Sequence, residues 1–295
     1  MIVRPCAYAG SFYPADRDSL LLILEYLFSH CNECNKLQET REAEHTPHIS
    51  TQISGEAYGI ISPHAGYIYS GLIAAVGFCT LGRLGTKPDL GFTGTVVIIG
   101  PGHKTSYSAI SVCEWETPLG SIRTDEKLAN AISECSSIPV NEQVHLHEHG
   151  IEVILPFMKY RFPNAHMVAI QLGDQRLEPS IALGNSIASC ITDAGKKLGE
   201  DVYVIASSDG SHYIPHNEAK KNDAHSLSAL LNLDCSEFYE RAKHTTMCGY
   251  GPTIAMITAA KACGAKQGIC LAYSTSGDVT GDRTQVVGYA ALAVI

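Results

Sequence analysis

The chain has 295 residues, of which 45% are hydrophobic and 17% are charged, and its formal net charge is −9. This composition is that of a globular protein with ample apolar material for a core, and no apolar run approaches the ~20 residues that span a bilayer. Because phosphate binding depends on clustered Lys and Arg, the acidic balance and scattered basic residues argue against a nucleic-acid-binding surface.

We expect a reduced, cytoplasmic protein with no membrane or nucleic-acid partner. No signal-peptide pattern opens the chain, and the eleven cysteines do not have the spacing of a disulfide framework. Several of them, such as Cys190 and Cys270, lie in apolar surroundings where a free cysteine acts as a small hydrophobic residue. The chain has neither a GxGxxG fingerprint nor a P-loop, so no phosphate-bearing cofactor is predicted.

The first predicted element is an amphipathic helix over residues 16–29, whose apolar residues fall on one stripe. A polar segment over residues 31–53 follows, and we interpret it as a loop inserted into the fold. It contains one CxxC pair, Cys31 and Cys34. The nearby histidines are His30, His45 and His48. A zinc site there is an alternative, although no second CxxC supplies the other ligand pair.

From residue 58 onward, apolar runs typical of strands alternate with segments of helical periodicity. Strands are predicted at residues 58–62, 96–99, 109–112, 167–172, 202–206, 268–274 and 285–295. Helices are predicted at residues 71–80, 125–135, 148–160, 177–198, 217–231, 236–244 and 252–262. This alternation predicts a three-layer α/β/α fold with a mostly parallel central sheet. Because no linker or repeat interrupts it, we expect one domain over residues 1–295.

Three of the predicted strands lead to a histidine: His64, His103 and His212. In open α/β sheets, ligands bind in the crevice beyond the carboxyl ends of the strands. One such histidine alone would more simply cap a loop, but three metal-capable side chains in equivalent places predict a shared site. Pro63 fixes the backbone ahead of His64, and the glycines on either side of Pro101 allow close approach to a bound ion.

Cys248 is a further candidate ligand. It lies just ahead of a predicted helix that begins near Pro252, and helix amino ends stabilise a thiolate through their dipole and free N–H groups. A thiolate with two neutral imidazoles is a competent ligand set for Fe(II), copper or zinc. A structural cysteine near a turn is the alternative interpretation.

The segment 141–152 holds three histidines at alternate positions, namely His145, His147 and His149. If the segment were extended, they would share one face and could form a complete metal site. The alternative is a helix that starts near Glu148, with acidic residues in its first turn where the dipole favours them. In that case, we expect His149 to transfer protons or to support a metal ligand.

Asp209 and His212 follow the predicted strand at residues 202–206. Both could bind a metal ion. Alternatively, they could form an acid–base pair, because a histidine beside a carboxylate titrates near neutral pH. The residues by themselves leave both roles open.

Several short motifs occur in order across nearly the whole chain, and their succession resembles the Memo family, which is found from archaea and bacteria to animals. Any one of them would be weak evidence, whereas their occurrence together in this order is specific. The motifs are GSFYP at 10–14, PHAGY at 63–67, GPGH at 100–103, EHxxE at 148–152, SSDxxH at 207–212 and CG at 248–249.

The resemblance implies a fold similar to that of the class III extradiol dioxygenases, non-haem Fe(II) enzymes that open catechol rings. It also implies a metal site with three ligands and three cavity-lining residues. The implied ligands are His64, His103 and Cys248, and the implied lining residues are His149, Asp209 and His212. The dioxygenases use two histidines and one carboxylate, whereas a thiolate is softer and more easily oxidised. This difference favours an iron or copper redox role over catechol cleavage.

We therefore hypothesise that a mononuclear iron or copper ion activates oxygen or a chelating substrate while His149 or His212 moves protons. The expected substrate is a small molecule or peptide. Because some microbial relatives are thought to work beside a radical-SAM protein, the resemblance also implies such a partner. One rival is a non-catalytic module that binds a peptide or phosphopeptide in the same cleft. Others are a zinc hydrolase and, as a lesser alternative, an extradiol-type dioxygenase.

Overall fold

The computed structural model describes residues 3–39, 57–82 and 88–295. The strands in these ranges are β1 (Val3–Arg4), β2 (Gly59–Ser62), β3 (Thr95–Pro101), β4 (Ala109–Ser111), β5 (Glu114–Trp115), β6 (His166–Leu172), β7 (Val202–Ser207), β8 (His212–Ile214), β9 (Gly268–Thr275) and β10 (Val286–Val294). The helices are α1 (Arg17–Glu39), α2 (Tyr67–Cys79), α3 (Glu126–Ser136), α4 (Glu142–His145), α5 (His149–Glu152), α6 (Leu155–Arg161), α7 (Leu177–Asp193), α8 (His216–Leu230), α9 (Cys235–Ala242), α10 (Tyr250–Ala262) and α11 (Ser276–Thr280).

The main sheet of the described part of the chain has the strand order β4-β6-β3-β7-β2-β10-β8, with β9 also paired to β10. Its four inner strands β6, β3, β7 and β2 are parallel. In contrast, β4, β10, β9 and β8 pair antiparallel to their neighbours. The sheet is therefore mixed, and the prediction of a mostly parallel sheet was wrong. The connection between β9 and β10 is short, which favours antiparallel pairing because parallel strands need a longer crossover.

The inner strands are buried along their length except at the first residue of β6, as their largely apolar sequences predict. In β3, Val96 and Ile98 belong to one hydrophobic cluster, which includes residues of α1, α2 and α6. The alternate residues Val97 and Ile99 belong to a second cluster, which includes residues of α7 and α10. Because side chains alternate along a strand, the two clusters cover opposite faces of the sheet. The parallel strands are thus held rigidly, with their carboxyl ends aligned at one edge.

The prediction of a polar loop over residues 31–53 was wrong for residues 31–39. Helix α1 does not stop near residue 29 but continues to Glu39, so residues 31–39 are helical. Cys31 is buried against the apolar core rather than placed in a loop. The remainder of the segment, with His45 and His48, lies outside the described residues, as does the side chain of Cys34. The alternative of a zinc site at the CxxC pair therefore stays a prediction.

Two smaller differences concern the region near the predicted site. The helix predicted at residues 148–160 is divided into α5 and α6, and Pro156 lies at the start of α6, where it cannot donate a helical hydrogen bond. Strand β8, which begins at His212, had not been predicted. No helix in the described ranges combines the length and the apolar composition needed to cross a bilayer.

Candidate metal centre

His64 follows β2 and is almost fully buried, with 1% of the residue exposed. The hydroxyl of Ser207, at the end of β7, is 2.6 Å from Nδ1 of His64 and donates a hydrogen bond to the carbonyl oxygen of Gly150. Because its own proton is engaged there, the hydroxyl accepts the Nδ1 proton of His64 and leaves Nε2 free. Burial, followed by the neighbouring His103 and His149, lowers the pKa of His64 well below its ordinary value. The imidazole is therefore neutral, which is the form that binds metals.

His103 follows β3 and is held by the carboxylate of Glu148. The carboxylate accepts hydrogen bonds from Nδ1 of His103 at 2.7 Å and from its backbone N–H at 2.8 Å. It also accepts from the backbone N–H groups of His149 and Gly150 at the start of α5. Although burial alone would raise it, these hydrogen bonds hold the pKa of Glu148 far below its usual range. The ionised carboxylate keeps the proton of His103 on Nδ1, so its Nε2 is free to bind a metal.

Cys248 reaches the same place from the residues just before α10. Its Sγ atom is 3.4 Å from Nε2 of His64 and accepts a hydrogen bond from the backbone N–H of Asp209 at 3.2 Å. Burial, with a further contribution from Asp209, raises the pKa of the Cys248 thiol. The prediction that the helix end stabilises a thiolate was therefore wrong, because the cost of desolvation outweighs it. A metal ion would displace the thiol proton, since thiolate is the coordinating form.

The three side chains meet at one point. Nitrogen atoms of His64 and His103 and the sulfur of Cys248 all lie within 4.8 Å of one another. Because metal bonds to nitrogen and sulfur are about 2.0–2.3 Å long, one ion can lie between these three atoms. Two imidazoles and a thiolate suit Fe(II), copper or zinc. His103 and Cys248 are both partly accessible, so an ion bound here would be reachable from solvent.

His149 lies beside this cluster. Its ring centroid is 4.2 Å from that of His103 and 5.3 Å from that of His64. The side chains of His103, Glu148 and His149 also lie close enough together to hold an ion, but N–H groups already occupy the Glu148 oxygens. We therefore place His149 next to the centre rather than among its ligands.

Asp209 and His212 differ in how closely they approach the cluster. An oxygen of Asp209 is 4.0 Å from Nε2 of His64, and its other oxygen accepts the backbone N–H of His64. Burial raises the pKa of Asp209, which brings its titration closer to neutral pH. His212 lies beyond β7, in β8, and its Nδ1 is 2.9 Å from the carbonyl oxygen of Thr246. Because a carbonyl only accepts, that nitrogen carries the proton, and Nε2 of His212 is a free acceptor.

A buried ion pair connects the amino-terminal segment to the site. Arg4 Nη1 and Glu152 Oε2 are 2.7 Å apart, and both side chains are at most 1% exposed. The same carboxylate accepts hydrogen bonds from the Tyr13 hydroxyl and from the backbone N–H groups of Ala7 and Tyr8. Glu152 is therefore the anchor of this segment, and it was not assigned that role from the sequence.

The anchored segment supplies aromatic side chains next to the site. The ring centroids of Tyr8 and Phe12 lie 5.6 and 5.1 Å from that of His149. Lys104, which directly follows His103, has its Nζ atom 5.7 Å from the Tyr8 ring centroid. The sequence motif at residues 10–14 thus forms part of the wall around the candidate centre.

The three alternate histidines at residues 145–149 do not form a complete metal site. His145 is fully buried, and its ring centroid is 5.6 Å from that of Trp115. His147 is exposed, and among the three only His149 approaches the cluster. The segment is not extended, because α4 ends at His145 and α5 begins at His149. The extended-strand alternative was therefore wrong.

Sequence reasoning did not assign the two groups that orient the histidines, Ser207 and Glu148. Each was visible only as part of a motif. For Ser207 the signal is the pairing of β2 with β7, in which Ser62 lies opposite Ser207. Because His64 follows Ser62 by two residues, this pairing brings the Ser207 hydroxyl close to His64. For Glu148 the signal is its position at the amino end of α5, where a carboxylate caps free N–H groups.

The fold and the site together define an α/β protein with a candidate centre of two imidazoles and one thiol. A family model described as "Memo-like protein" matches residues 4–293, so the chain belongs to the Memo family. A MEMO1 family protein of Methanosarcina barkeri is 40% identical over 297 residues, which cover 99% of this chain and 100% of the relative. A MEMO1 family protein of Methanopyrus kandleri is 38% identical over 296 residues, which cover 98% of each chain. Another, of Methanococcus vannielii, is 36% identical over 302 residues, which cover 99% of this chain and 100% of the relative.

Proposed function

We propose that His64, His103 and Cys248 hold one iron or copper ion and that the protein performs metal-dependent redox chemistry on a small molecule or peptide. The observation that carries this proposal is the placement of the three ligand atoms within 4.8 Å of one another. The orientation of the two imidazoles favours the same function, because Nδ1 of His64 is held by Ser207 and Nδ1 of His103 by Glu148, which leaves both Nε2 atoms directed to the centre. A thiolate ligand is compatible with iron and copper as well as with zinc, and the oxygen-uptake test below separates a redox centre from a hydrolytic zinc centre.

An iron or copper ion at this position would supply a redox-active Lewis acid that activates oxygen or a chelating substrate. The side chains around it supply proton transfer. Asp209, whose pKa is raised by burial, would hold or release a proton within 4.0 Å of the His64 ring. His149 would exchange protons with a bound substrate, and Nε2 of His212 would accept one from farther out. We extend the proposal to the fold, which would have a three-layer arrangement like that of the class III extradiol dioxygenases, since helices contribute to clusters on both faces of the sheet. We also propose that the protein works together with a radical-SAM protein.

The test is metal content and oxygen uptake. Protein treated with a chelator is reloaded anaerobically with Fe(II) or Cu(I), and we expect one ion per chain. Because His64→Ala removes a ligand, it is expected to weaken binding by more than about 100-fold. The matched control is His147→Ala, which removes an exposed histidine outside the cluster and is expected to bind like the wild type. Equal metal content in the two variants would contradict the proposal.

Oxygen uptake in the presence of a reducing agent separates the alternatives. Consumption that requires the reloaded metal supports the redox enzyme. Peptide binding that is insensitive to chelation, without oxygen uptake, would instead indicate a non-catalytic binding module. Hydrolytic turnover with zinc alone would indicate a hydrolase.

Glu148→Gln tests the orienting role of the carboxylate at nearly constant size. The amide cannot serve as the ionised acceptor for Nδ1 of His103, so we expect metal affinity to fall by about 10–100-fold. The control is Glu142→Gln, because Glu142 lies in the same segment but accepts hydrogen bonds from Ser111 and from the backbone of Val112. Affinities are measured by competition with a chelator of known strength. An unchanged affinity in Glu148→Gln would show that the carboxylate does not position His103.

A further inference from the structure

Two cysteines far from the metal centre approach each other at the contact between α1 and α2. The Sγ atoms of Cys31 and Cys79 are 2.6 Å apart, although the residues are 48 positions apart in the chain. Nonbonded heavy atoms normally stay about 3.5–4.0 Å apart, and a disulfide bond is about 2.05 Å long. The two sulfurs therefore need only a small displacement to bond.

The helices that carry these cysteines are packed tightly. A side chain at Gly71 in α2 would come within 2.9 Å of Leu27 in α1, so the glycine allows a close approach. One helical turn after Leu27, Cys31 is 1% exposed within the hydrophobic cluster. Cys79, the last residue of α2, is only partly buried. The packing thus holds one enclosed thiol against one that is partly accessible.

We propose that Cys31 and Cys79 form a reversible disulfide bond that ties α1 to the carboxyl end of α2. This site is independent of the proposed metal function, because it uses neither Cys248 nor any other proposed ligand. Neither cysteine is part of a disulfide bond in this structure, so the bond would be an oxidised state of the same fold. It is one cross-link between two helices, and the absence of a disulfide framework from the sequence does not argue against it.

The oxidant is a low-molecular-weight disulfide such as oxidised glutathione. The Cys79 thiolate attacks one sulfur of that disulfide, which breaks the S–S bond and releases one small thiolate. The Cys31 thiolate then attacks the Cys79 sulfur of the mixed disulfide, and the second small thiolate leaves. In total, two protein thiols lose two protons and two electrons, and these convert one small disulfide into two small thiols.

The surroundings set the rate of this exchange. The contact with Cys31 and burial raise the pKa of the Cys79 thiol, while the nearby Arg161 guanidinium lowers it. Exchange in the folded protein is therefore slow, because little thiolate is present. During refolding both thiols are accessible, and the bond would form before they are enclosed. Once formed, it would be reduced slowly, because a small reductant reaches it only through the partly accessible Cys79 sulfur.

The experiment maps the bond in full-length protein. Samples are equilibrated with oxidised glutathione, either folded or during refolding from urea, then blocked with N-ethylmaleimide and digested without reduction. We expect a cross-linked peptide containing Cys31 and Cys79, together with a rise in Tm of about 5–15 °C that reductant reverses. Both cysteines alkylated in both arms, or a cross-link between other cysteines only, would overturn the proposal.

Variants assign the bond to this pair. Cys79→Ala is expected to lose both the cross-linked peptide and the Tm rise. Cys34→Ser, which changes the next cysteine of the same helix, is expected to keep both, and so is Cys135→Ser, since Cys135 interacts with Cys190 elsewhere. If Cys79→Ala does not fold, peptide mapping of the wild type still decides the outcome. Metal binding is measured in parallel, so failure of the disulfide and failure of the metal proposal are separate results.

Discussion

Replacing Glu152 with alanine is expected to lower the free energy of unfolding by about 3–5 kcal/mol. The change leaves the Arg4 guanidinium buried without its carboxylate, at a position where both side chains are at most 1% exposed. It also removes the acceptor for the Tyr13 hydroxyl and for two backbone N–H groups. Each buried donor left without an acceptor adds to the cost.

Urea unfolding curves measure this loss, and a surface ion pair provides the control. Arg176 and Asp174 are 2.6 Å apart, but the arginine side chain is 72% exposed. Such pairs contribute about 0–1 kcal/mol, so Arg176→Ala should unfold almost as the wild type does. If Glu152→Ala does not fold, Glu152→Gln retains one acceptor oxygen and should show a smaller loss. A loss below about 1 kcal/mol in Glu152→Ala would show that the pair does not anchor the segment.

Protonation of His145 alone is expected to lower the free energy of unfolding by about 3 kcal/mol when the pH falls from 7 to 4. Burial lowers the pKa of His145 from 6.5 to about 4. The positive charge of Arg4 acts in the same direction, while the carboxylates of Glu142 and Glu148 partly oppose it. The ring packs edge-on against Trp115. The fold therefore favours the neutral imidazole.

The sign follows from proton binding. Between about pH 6.5 and pH 4 the unfolded chain binds a proton at His145 that the folded protein does not, so acid favours unfolding. The stabilisation that neutral His145 contributes is present above about pH 6.5 and is lost as the pH falls toward about 4. His145→Phe removes this titratable group. Between pH 7 and pH 4, its free energy of unfolding should therefore fall by about 3 kcal/mol less than that of the wild type. His147→Phe, which changes an exposed histidine, should keep the wild-type pH dependence. Identical pH profiles for His145→Phe and the wild type would contradict the prediction.

The convergence of His64 and His103 could be predicted because it depends on local patterns. Strands β2, β7 and β3 are continuously apolar and parallel, so the residues that follow them lie at one edge of the sheet. His212 is separated from β7 by the irregular residues 208–211 and belongs to β8, whereas Asp209 contacts the backbone N–H of His64 directly. Polar residues that directly follow a buried strand therefore predicted the position of the site better than residues farther along the chain.

The remaining features depend on tertiary packing. No local pattern specifies that β10 inserts between β2 and β8, because the strand is equally apolar in a parallel or an antiparallel neighbourhood. The hydrogen bonds of Ser207 and Glu148 require side-chain positions that the sequence does not show. The raised pKa of the Cys248 thiol arises from burial, which outweighs the helix amino end that was visible in the sequence.

The position of β10 has a consequence for the order in which the chain folds. Leu292 in β10 pairs with Ile61 in β2, so one edge of β2 gains its neighbour only after more than two hundred further residues have been synthesised. Such distant pairing slows folding, and until then the exposed strand edge is open to pairing with other chains. His64, which follows β2, therefore stays beside an incomplete sheet during synthesis. Assembly of the imidazole and thiol pocket is correspondingly a late event in the life of the nascent polypeptide.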